Sequence, residues 1–285
     1  MIHVFYHGAD LDGYCSGAIV GLHHNWDVSF HPMNHGDPFP WDDIHENDTV
    51  YVVDYVLNPF SDMMKLNNMC KLIWIDHHQS AINDYTKALM KGELNFIDGL
   101  RLDGIAACEL CWHCLNDHMN VPRAVHLLSM YDVWKHKDIP GCLEFQYGMK
   151  QISNQYPTNI ELWEKLIKND QKDFIDKIID NGITVLQYEK TRNEKLCQFA
   201  FETVIDGHPA IALNKGVASS MAFASVWDNT KYDLMIAFFR KKGMWFVSLY
   251  TDKEGIDGSI VAKKYGGGGH IQASGFSCTE LPFDY

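Results

Sequence analysis

The sequence lacks any apolar run near the roughly 18 residues needed to span a bilayer, and its start, Met1 to Tyr6, reads as a strand and not as a signal peptide. A cytoplasmic protein is the expectation. Positive charge is scarce as well, with 24 Lys and Arg against 37 Asp and Glu and a formal net charge of −13. Phosphate contacts carry most of the affinity for long nucleic acid, so this balance argues against a broad basic surface that tracks a polymer. A small phosphorylated substrate held through metal ions stays compatible. The chain has no internal repeat and no low-complexity tract. Its 46% hydrophobic and 21% charged content is that of a globular protein, and 285 residues leave room for two domains, each with its own core.

Eight cysteines are scattered along the chain. Without an export signal, reduced thiols are expected, most of them buried as small apolar groups. Cys108, Cys111 and Cys114 form a C-x-x-C-x-x-C run that looks like part of an iron–sulfur or zinc site. No fourth Cys follows at ferredoxin spacing, and Leu110 and Leu115 supply apolar helical positions, so packing is the preferred reading.

Three short apolar segments rich in β-branched and aromatic residues read as strands: Ile2 to Tyr6 before His7, Thr49 to Val53 before Asp54, and Lys71 to Ile75 before Asp76. Helical patterns at Gly13 to His24 and Ser61 to Met69 alternate with them, as in an open parallel sheet. Such sheets bind ligands beyond the carboxyl ends of their strands, which would bring these distant polar clusters together. Asp103 to Asn116 and Val121 to Tyr131 read as further helices, with Asp132 next. The stretch from Asn159 to about Cys197 is polar and helical in period. Beyond it, Gln198 to Ile205 and Pro209 to Leu213 suggest a hairpin around Asp206-Gly207, then a helix from Ser219 to Trp227 and strands at Leu234 to Arg240 and Met244 to Tyr250. The expected fold is therefore α/β: a parallel-sheet domain over residues 1–158, a helical linker over 159–197 and a smaller α/β domain over 198–285.

The chemistry sits at the strand ends. His7-Gly-Ala-Asp10-Leu-Asp12-Gly13 places two acids two residues apart, where they repel each other unless one is merely a helix cap. Asp54 alone is a weak signal, because strand-to-loop turns favour Asp. Asp76-His77-His78 is stronger, since adjacent imidazoles beside a carboxylate suit metal ligation. With Asp132 these residues offer oxygen and imidazole ligands without thiolate, a set that favours Mn²⁺, Fe²⁺ or Co²⁺ over Mg²⁺. Two such ions about 3.5–4 Å apart can activate water and stabilise charge at phosphorus. Arg101 and Arg240 are candidate anion contacts, and Lys241 and Lys242 extend the second of these as a charge run. Gly266 to Gly269 followed by His270 is either a flexible loop or a place where backbone amides approach a phosphate closely, with His270 as an added donor. His23, His24, His113 and His118 receive no functional role.

In order along the chain, Asp10-x-Asp12-Gly13, Asp54, Asp76-His77-His78, Asp132 and Gly266-Gly-Gly-Gly269-His270-Ile-Gln-Ala273-Ser-Gly275-Phe276 resemble the DHH phosphoesterase superfamily with a DHHA1 carboxyl-terminal domain, like the oligoribonuclease and RecJ-related members. The resemblance covers nearly the whole chain. It implies one metal on His7, Asp10 and Asp54 and a second on Asp12, Asp54, His77 and Asp132, with Mn²⁺ the expected ion. It also implies that Asp76 orients the histidines, that His78 contacts the substrate phosphate, and that Gly267, Gly268, Gly269 and His270 grip substrate. Many relatives have three residues between the histidine and the first aspartate, whereas only Gly8 and Ala9 intervene here. Either the turn is one residue tighter, or water replaces an imidazole on that metal.

The implied activity is metal-dependent hydrolysis of a phosphodiester or phosphomonoester, favouring short oligonucleotides or dinucleotides. Other substrates of the family are 3′-phosphoadenosine-5′-phosphate, cyclic dinucleotides and longer single strands. The alternative from another class is a nucleotide-binding or regulatory protein with a degenerate metal site, which the intact acids and Asp-His-His disfavour.

Overall fold

Short β-branched and aromatic runs build the first sheet of a computed structural model that describes residues 1–34, 36–116, 120–216 and 218–285. Its strands are β1 (Ile2–His7), β2 (Ser29–Met33), β3 (Thr49–Val53) and β4 (Lys71–Ile75), all parallel in the order β2-β1-β3-β4. The accompanying helices are α1 (Leu11–His23), α2 (Ser61–Met69), α3 (Gln79–Met90), α4 (Ala107–Leu115), α5 (Arg123–Asp132), α6 (Cys142–Met149) and α7 (Ile160–Trp163), which runs into a π-helical turn at Glu164–Lys168. Helix α8 (Lys172–Leu196) follows. The chain divides within α8 into two compact units, Met1–Val185 and Leu186–Tyr285.

Alternation along the strands sends side chains to two cores, one on each face of the sheet. Val4, Tyr6, Tyr51, Val53 and Ile75 pack with Ile19 of α1, Leu110 of α4, Leu128 of α5 and Phe145 of α6. Phe5, Val50, Val52, Leu72 and Trp74 pack on the other face with Met63 and Leu66 of α2 and Tyr85 of α3. Strands β1, β3 and β4 are largely buried on both faces, which is why they read as continuous apolar runs.

The second unit carries a mixed sheet of β5 (Phe201–Ile205), β6 (His208–Asn214), β7 (Leu234–Lys241), β8 (Met244–Tyr250), β9 (Gly268–Gly269) and β10 (Ala273–Cys278), ordered β5-β6-β7-β8-β10-β9. Among the described residues, only the β6–β7 pair of this sheet is parallel. Ile236, Phe238, Val247 and Leu249 form a core with Val261 and Ala262 of α9 (Gly258–Lys264), while Ile211, Leu213, Met235 and Ala237 pack with Phe223 on the opposite face.

The α/β class expected from the sequence is present in both units. Two helices are shorter than their periodicity suggests. The one expected from Asp103 begins at Ala107, because Ala106 is extended and the first amides of α4 turn to a carboxylate from another helix. The one expected over Ser219 to Trp227 contracts to a single 3-10 turn at Ser220–Phe223, where three-residue closures such as Ala222 N–H to Ser219 replace most α-type bonds. Among the described residues, no helix is long and apolar enough to cross a membrane.

Candidate metal centre

Parallel register brings the polar clusters together. Tyr6 pairs with Val53, and Val53 with Ile75, so His7, Asp54 and Asp76 reach the carboxyl edge of the sheet side by side. Asp54 turns sharply there, with φ 51° and its N–H donating to the Ile75 carbonyl at 3.0 Å. A non-glycine residue in the left-handed region is strained, although Asp tolerates it better than most.

The β1–α1 turn is equally tight. Asp10 caps α1, accepting a hydrogen bond from the Gly13 N–H at 3.0 Å. A Cβ on Gly13 would stand 2.0 Å from the His7 carbonyl oxygen, so only glycine lets the helix begin this close to the strand. The Tyr14 hydroxyl braces the turn by donating to the Gly8 carbonyl at 2.9 Å. With two residues between them, His7 Nδ1 and Asp10 Oδ2 lie 2.7 Å apart.

Two groups of three ligand-bearing side chains result, each with its ligand atoms within 4.8 Å of one another: His7, Asp10 and Asp54, and Asp12, His77 and Asp132. Asp54 reaches both, with Oδ2 at 3.6 Å from His7 Nδ1 and Oδ1 at 3.5 Å from His77 Nε2. His77 Nε2 is also 3.7 Å from Asp12 Oδ2 and 3.4 Å from Asp132 Oδ2. Asp54, His77 and His78 form a third such group. Asp76 is fully buried, and its Oδ1 accepts from the N–H groups of His77 at 2.8 Å and His78 at 3.2 Å while lying 2.7 Å from His78 Nδ1. It thereby fixes the His78 ring.

Histidines are the counter-charges of this cluster. Among the described residues, no lysine or arginine ion-pairs with Asp10, Asp12, Asp54, Asp76 or Asp132, whose ionic partners are histidines. Burial, then Asp12 and Asp10, push the Asp54 carboxyl well above its usual range. Burial, then Asp12, do the same to Asp132. Burial alone would lower the imidazoles, but Asp10 and Asp54 outweigh it at His7, raised to about 10, and Asp76 outweighs it at His78, raised to about 9. Acids held against their tendency to take up protons, with imidazoles among them, are a donor set that fits divalent cations.

Sequence reasoning missed what holds Asp12. Its two oxygens accept the N–H groups of Ala107 at 2.9 Å and Cys108 at 2.8 Å, so α1 supplies the cap of α4. Backbone donors leave no mark in a sequence. Arg101 is placed beside Asp76 through a parallel bridge, but its guanidinium donates to the carbonyls of Trp74 at 2.7 Å, Ile97 at 2.8 Å and Asp98 at 3.2 Å and lies over Tyr85. It is a strut under the Asp-His-His turn. Cys108 and Cys111 are fully buried in the core shared by α1 and α4, and burial raises both thiols well above their usual range.

In the second unit Arg240 is exposed and lies over the Trp245 ring, its partner across β7 and β8. Gly268 and Gly269 form β9 against β10, and the His270 N–H closes the turn onto the Ala273 carbonyl at 2.8 Å. A Cβ on Gly267 would stand 2.0 Å from the Gly275 carbonyl oxygen, so backbone lies directly on backbone there. His118 lies outside the described residues.

No family model matches the chain. It is 23% identical to an uncharacterised protein, R106, of Acanthamoeba polyphaga mimivirus, over 99% of this chain and 69% of the relative. It is 26% identical to the oligoribonuclease NrnB of Bacillus subtilis, over 100% of this chain and 74% of that protein. Among solved structures, the pGpG-specific phosphodiesterase PggH of Vibrio cholerae shares the fold with a TM-score of 0.54 at 12% identity, over 97% of this chain and 93% of that one. The fold shared with PggH and the end-to-end similarity to NrnB, with the Asp-His-His turn at the carboxyl edge of a parallel sheet, point to the DHH phosphoesterase superfamily.

Proposed function

We propose that this protein is a two-metal phosphodiesterase that hydrolyses short oligonucleotides or dinucleotides. The observation that carries the proposal is the pair of three-residue groups, His7, Asp10, Asp54 and Asp12, His77, Asp132, joined through the buried Asp54 carboxylate. These residues would hold two divalent ions, with Asp54 shared and Mn²⁺ preferred for its tolerance of imidazole. When bound, such ions supply Lewis-acid stabilisation at phosphorus and lower the pKa of water.

The chain's own residues do the rest. Asp76 holds His78 by its Nδ1, which leaves the protonated ring positioned to donate to a phosphoryl oxygen. The amides of Ala107 and Cys108 fix Asp12, so that ligand keeps its orientation as charge moves. Gly267 to Gly269 and His270 are assigned to the nucleotide portion of the substrate, in the manner of a DHHA1 domain. The substrate class is supported by the end-to-end similarity to an oligoribonuclease and by a net charge of −13, which disfavours long polyanions.

A panel of di- to pentaribonucleotides, linear and cyclic dinucleotides, 3′-phosphoadenosine-5′-phosphate and pyrophosphate, assayed with Mn²⁺ and again with chelator, tests this reading. Metal-dependent turnover concentrated on the shortest oligonucleotides or dinucleotides is expected. Tight nucleotide binding without hydrolysis under any metal would replace the enzyme with a sensor.

A further inference from the structure

Between α6 and α7 the chain carries Tyr156, which is 48% exposed. Its backbone is nevertheless held from several sides. The Tyr156 carbonyl accepts from the Asn159 N–H at 2.9 Å and from the Trp163 indole N–H at 3.1 Å, while the Tyr156 N–H donates to Asn154 Oδ1 at 3.3 Å. Trp163 is fully buried. The next residue, Pro157, is buried against α1, where a Cβ on Gly17 would stand 2.9 Å from the Pro157 Cγ. An aromatic ring on so fixed a backbone has little freedom to lose when it binds a ligand. The ring meets that of Tyr14 edge-on, with centroids 5.1 Å apart at 62°, so at least one face of Tyr156 is left uncovered by Tyr14. The Tyr14 hydroxyl in turn donates to the Gly8 carbonyl at 2.9 Å, in the turn that joins His7 to Asp10. An open aromatic ring therefore stands two side-chain contacts from the group His7, Asp10 and Asp54.

We propose that Tyr156 stacks on a nucleobase of the substrate and forms a base subsite within the unit that carries the acid–histidine cluster. This rests on the phosphodiesterase reading and deepens it, because that reading assigns nucleotide contacts only to the glycine turn of the second unit. Tyrosine suits the role: its ring offers a large, rigid contact area at the cost of ordering two side-chain torsions. Stacking also tolerates any base, since every base has a π-face. The acidic balance of the chain does not oppose it, because a neutral base is not repelled where a phosphate without metal would be. Tyr14 then serves two neighbours, bracing the β1–α1 turn through its hydroxyl and the Tyr156 ring through its own. Tyr156 binds substrate without touching the reacting phosphorus.

The test measures binding to the full chain by calorimetry with Mn²⁺ present. The probes are a diadenylate whose bridging ester oxygen is replaced by methylene, and the two analogues that each lack one adenine. Tyr156→Ala is expected to weaken the diadenylate about 5- to 150-fold, the worth of one stacked base, and to leave the affinity of one of the two analogues unchanged. Tyr156→Phe, which keeps the ring, is expected to retain wild-type affinity for all three. Thermal unfolding verifies each variant, and Tyr156→Leu, which keeps apolar bulk against Tyr14, carries the test if the alanine variant does not fold. Unchanged diadenylate affinity in Tyr156→Ala, or an equal loss for all three probes, overturns the proposal. Turnover of ordinary diadenylate by the wild-type protein would in that case leave the phosphodiesterase reading standing. Failure of the wild-type protein to bind the diadenylate overturns both.

Discussion

Asp54 combines a left-handed backbone, near-complete burial and two acidic neighbours, a costly arrangement in a metal-free protein. The sign of its pH effect follows. Its folded pKa lies above its unfolded one, so the penalty is absent below the unfolded value and grows as pH rises toward the folded value. Asp54→Asn should therefore raise the melting temperature of chelated protein at neutral pH but not at pH 3, while lowering Mn²⁺-dependent turnover by more than about 100-fold, the upper cost of losing a mere support of a ligand. A variant with wild-type turnover, or one less stable than wild type in chelator at neutral pH, would contradict this. His7 acts in the opposite direction. Raised to about 10, its proton stabilises the metal-free fold fully below its unfolded value near 6.5, and that contribution is lost as pH climbs through about 10. A metal on His7 must displace this proton, so Mn²⁺ affinity should rise with pH across neutrality, with proton release visible by calorimetry in buffers of different ionisation enthalpy. Affinity independent of pH would remove His7 from the ligands. His7, Asp10, Asp12, Asp54 and the Asp-His-His run were legible because acids and imidazoles at strand ends have no packing role. The use of Arg101 as a strut was not, since its partners are carbonyls.

Strands β3 and β4 could be read to the residue because burial on both faces demands an unbroken apolar run. Strand β2 escaped notice: it is an edge strand with His31 and Pro32 in Ser29–Met33, and proline is tolerated where no further neighbour needs its missing N–H. Strand β10, Ala-Ser-Gly-Phe-Ser-Cys, is small and polar apart from Phe276, and α3, α6 and α9 also went unassigned. Two close approaches can be probed directly. Gly13→Ala places a methyl 2.0 Å from the His7 carbonyl oxygen, and Gly267→Ala places one 2.0 Å from that of Gly275. Each should cost about 1–3 kcal/mol of stability, as overpacking does. Gly13→Ala should also weaken Mn²⁺ binding by shifting Asp10 and Asp12 relative to His7. Gly267→Ala should leave Mn²⁺ binding unchanged. Thermal unfolding with Mn²⁺ titration separates the two, and equal loss of metal affinity in both would contradict this division of labour.

The acidic balance of the chain suits a protein whose positive charge arrives with its metals. Metal ligands are assigned to residues up to Asp132, in the unit Met1–Val185, and nucleotide contacts to the glycine turn in Leu186–Tyr285. His270→Ala should thus lower kcat/KM on a diribonucleotide by about 10- to 150-fold, the worth of one charged hydrogen bond of roughly 1.5–3 kcal/mol, with Mn²⁺ affinity unchanged. Steady-state kinetics beside metal titration read this, and unchanged kinetics on every nucleotide would reduce the turn to a loop. The most direct test of the catalytic centre is anomalous diffraction at the manganese edge from crystals of the full chain grown with Mn²⁺. Two peaks about 3.5–4 Å apart are expected, one against His7, Asp10 and Asp54 and the other against Asp12, Asp54, His77 and Asp132. A single peak, or none at these residues, would contradict a two-metal phosphodiesterase.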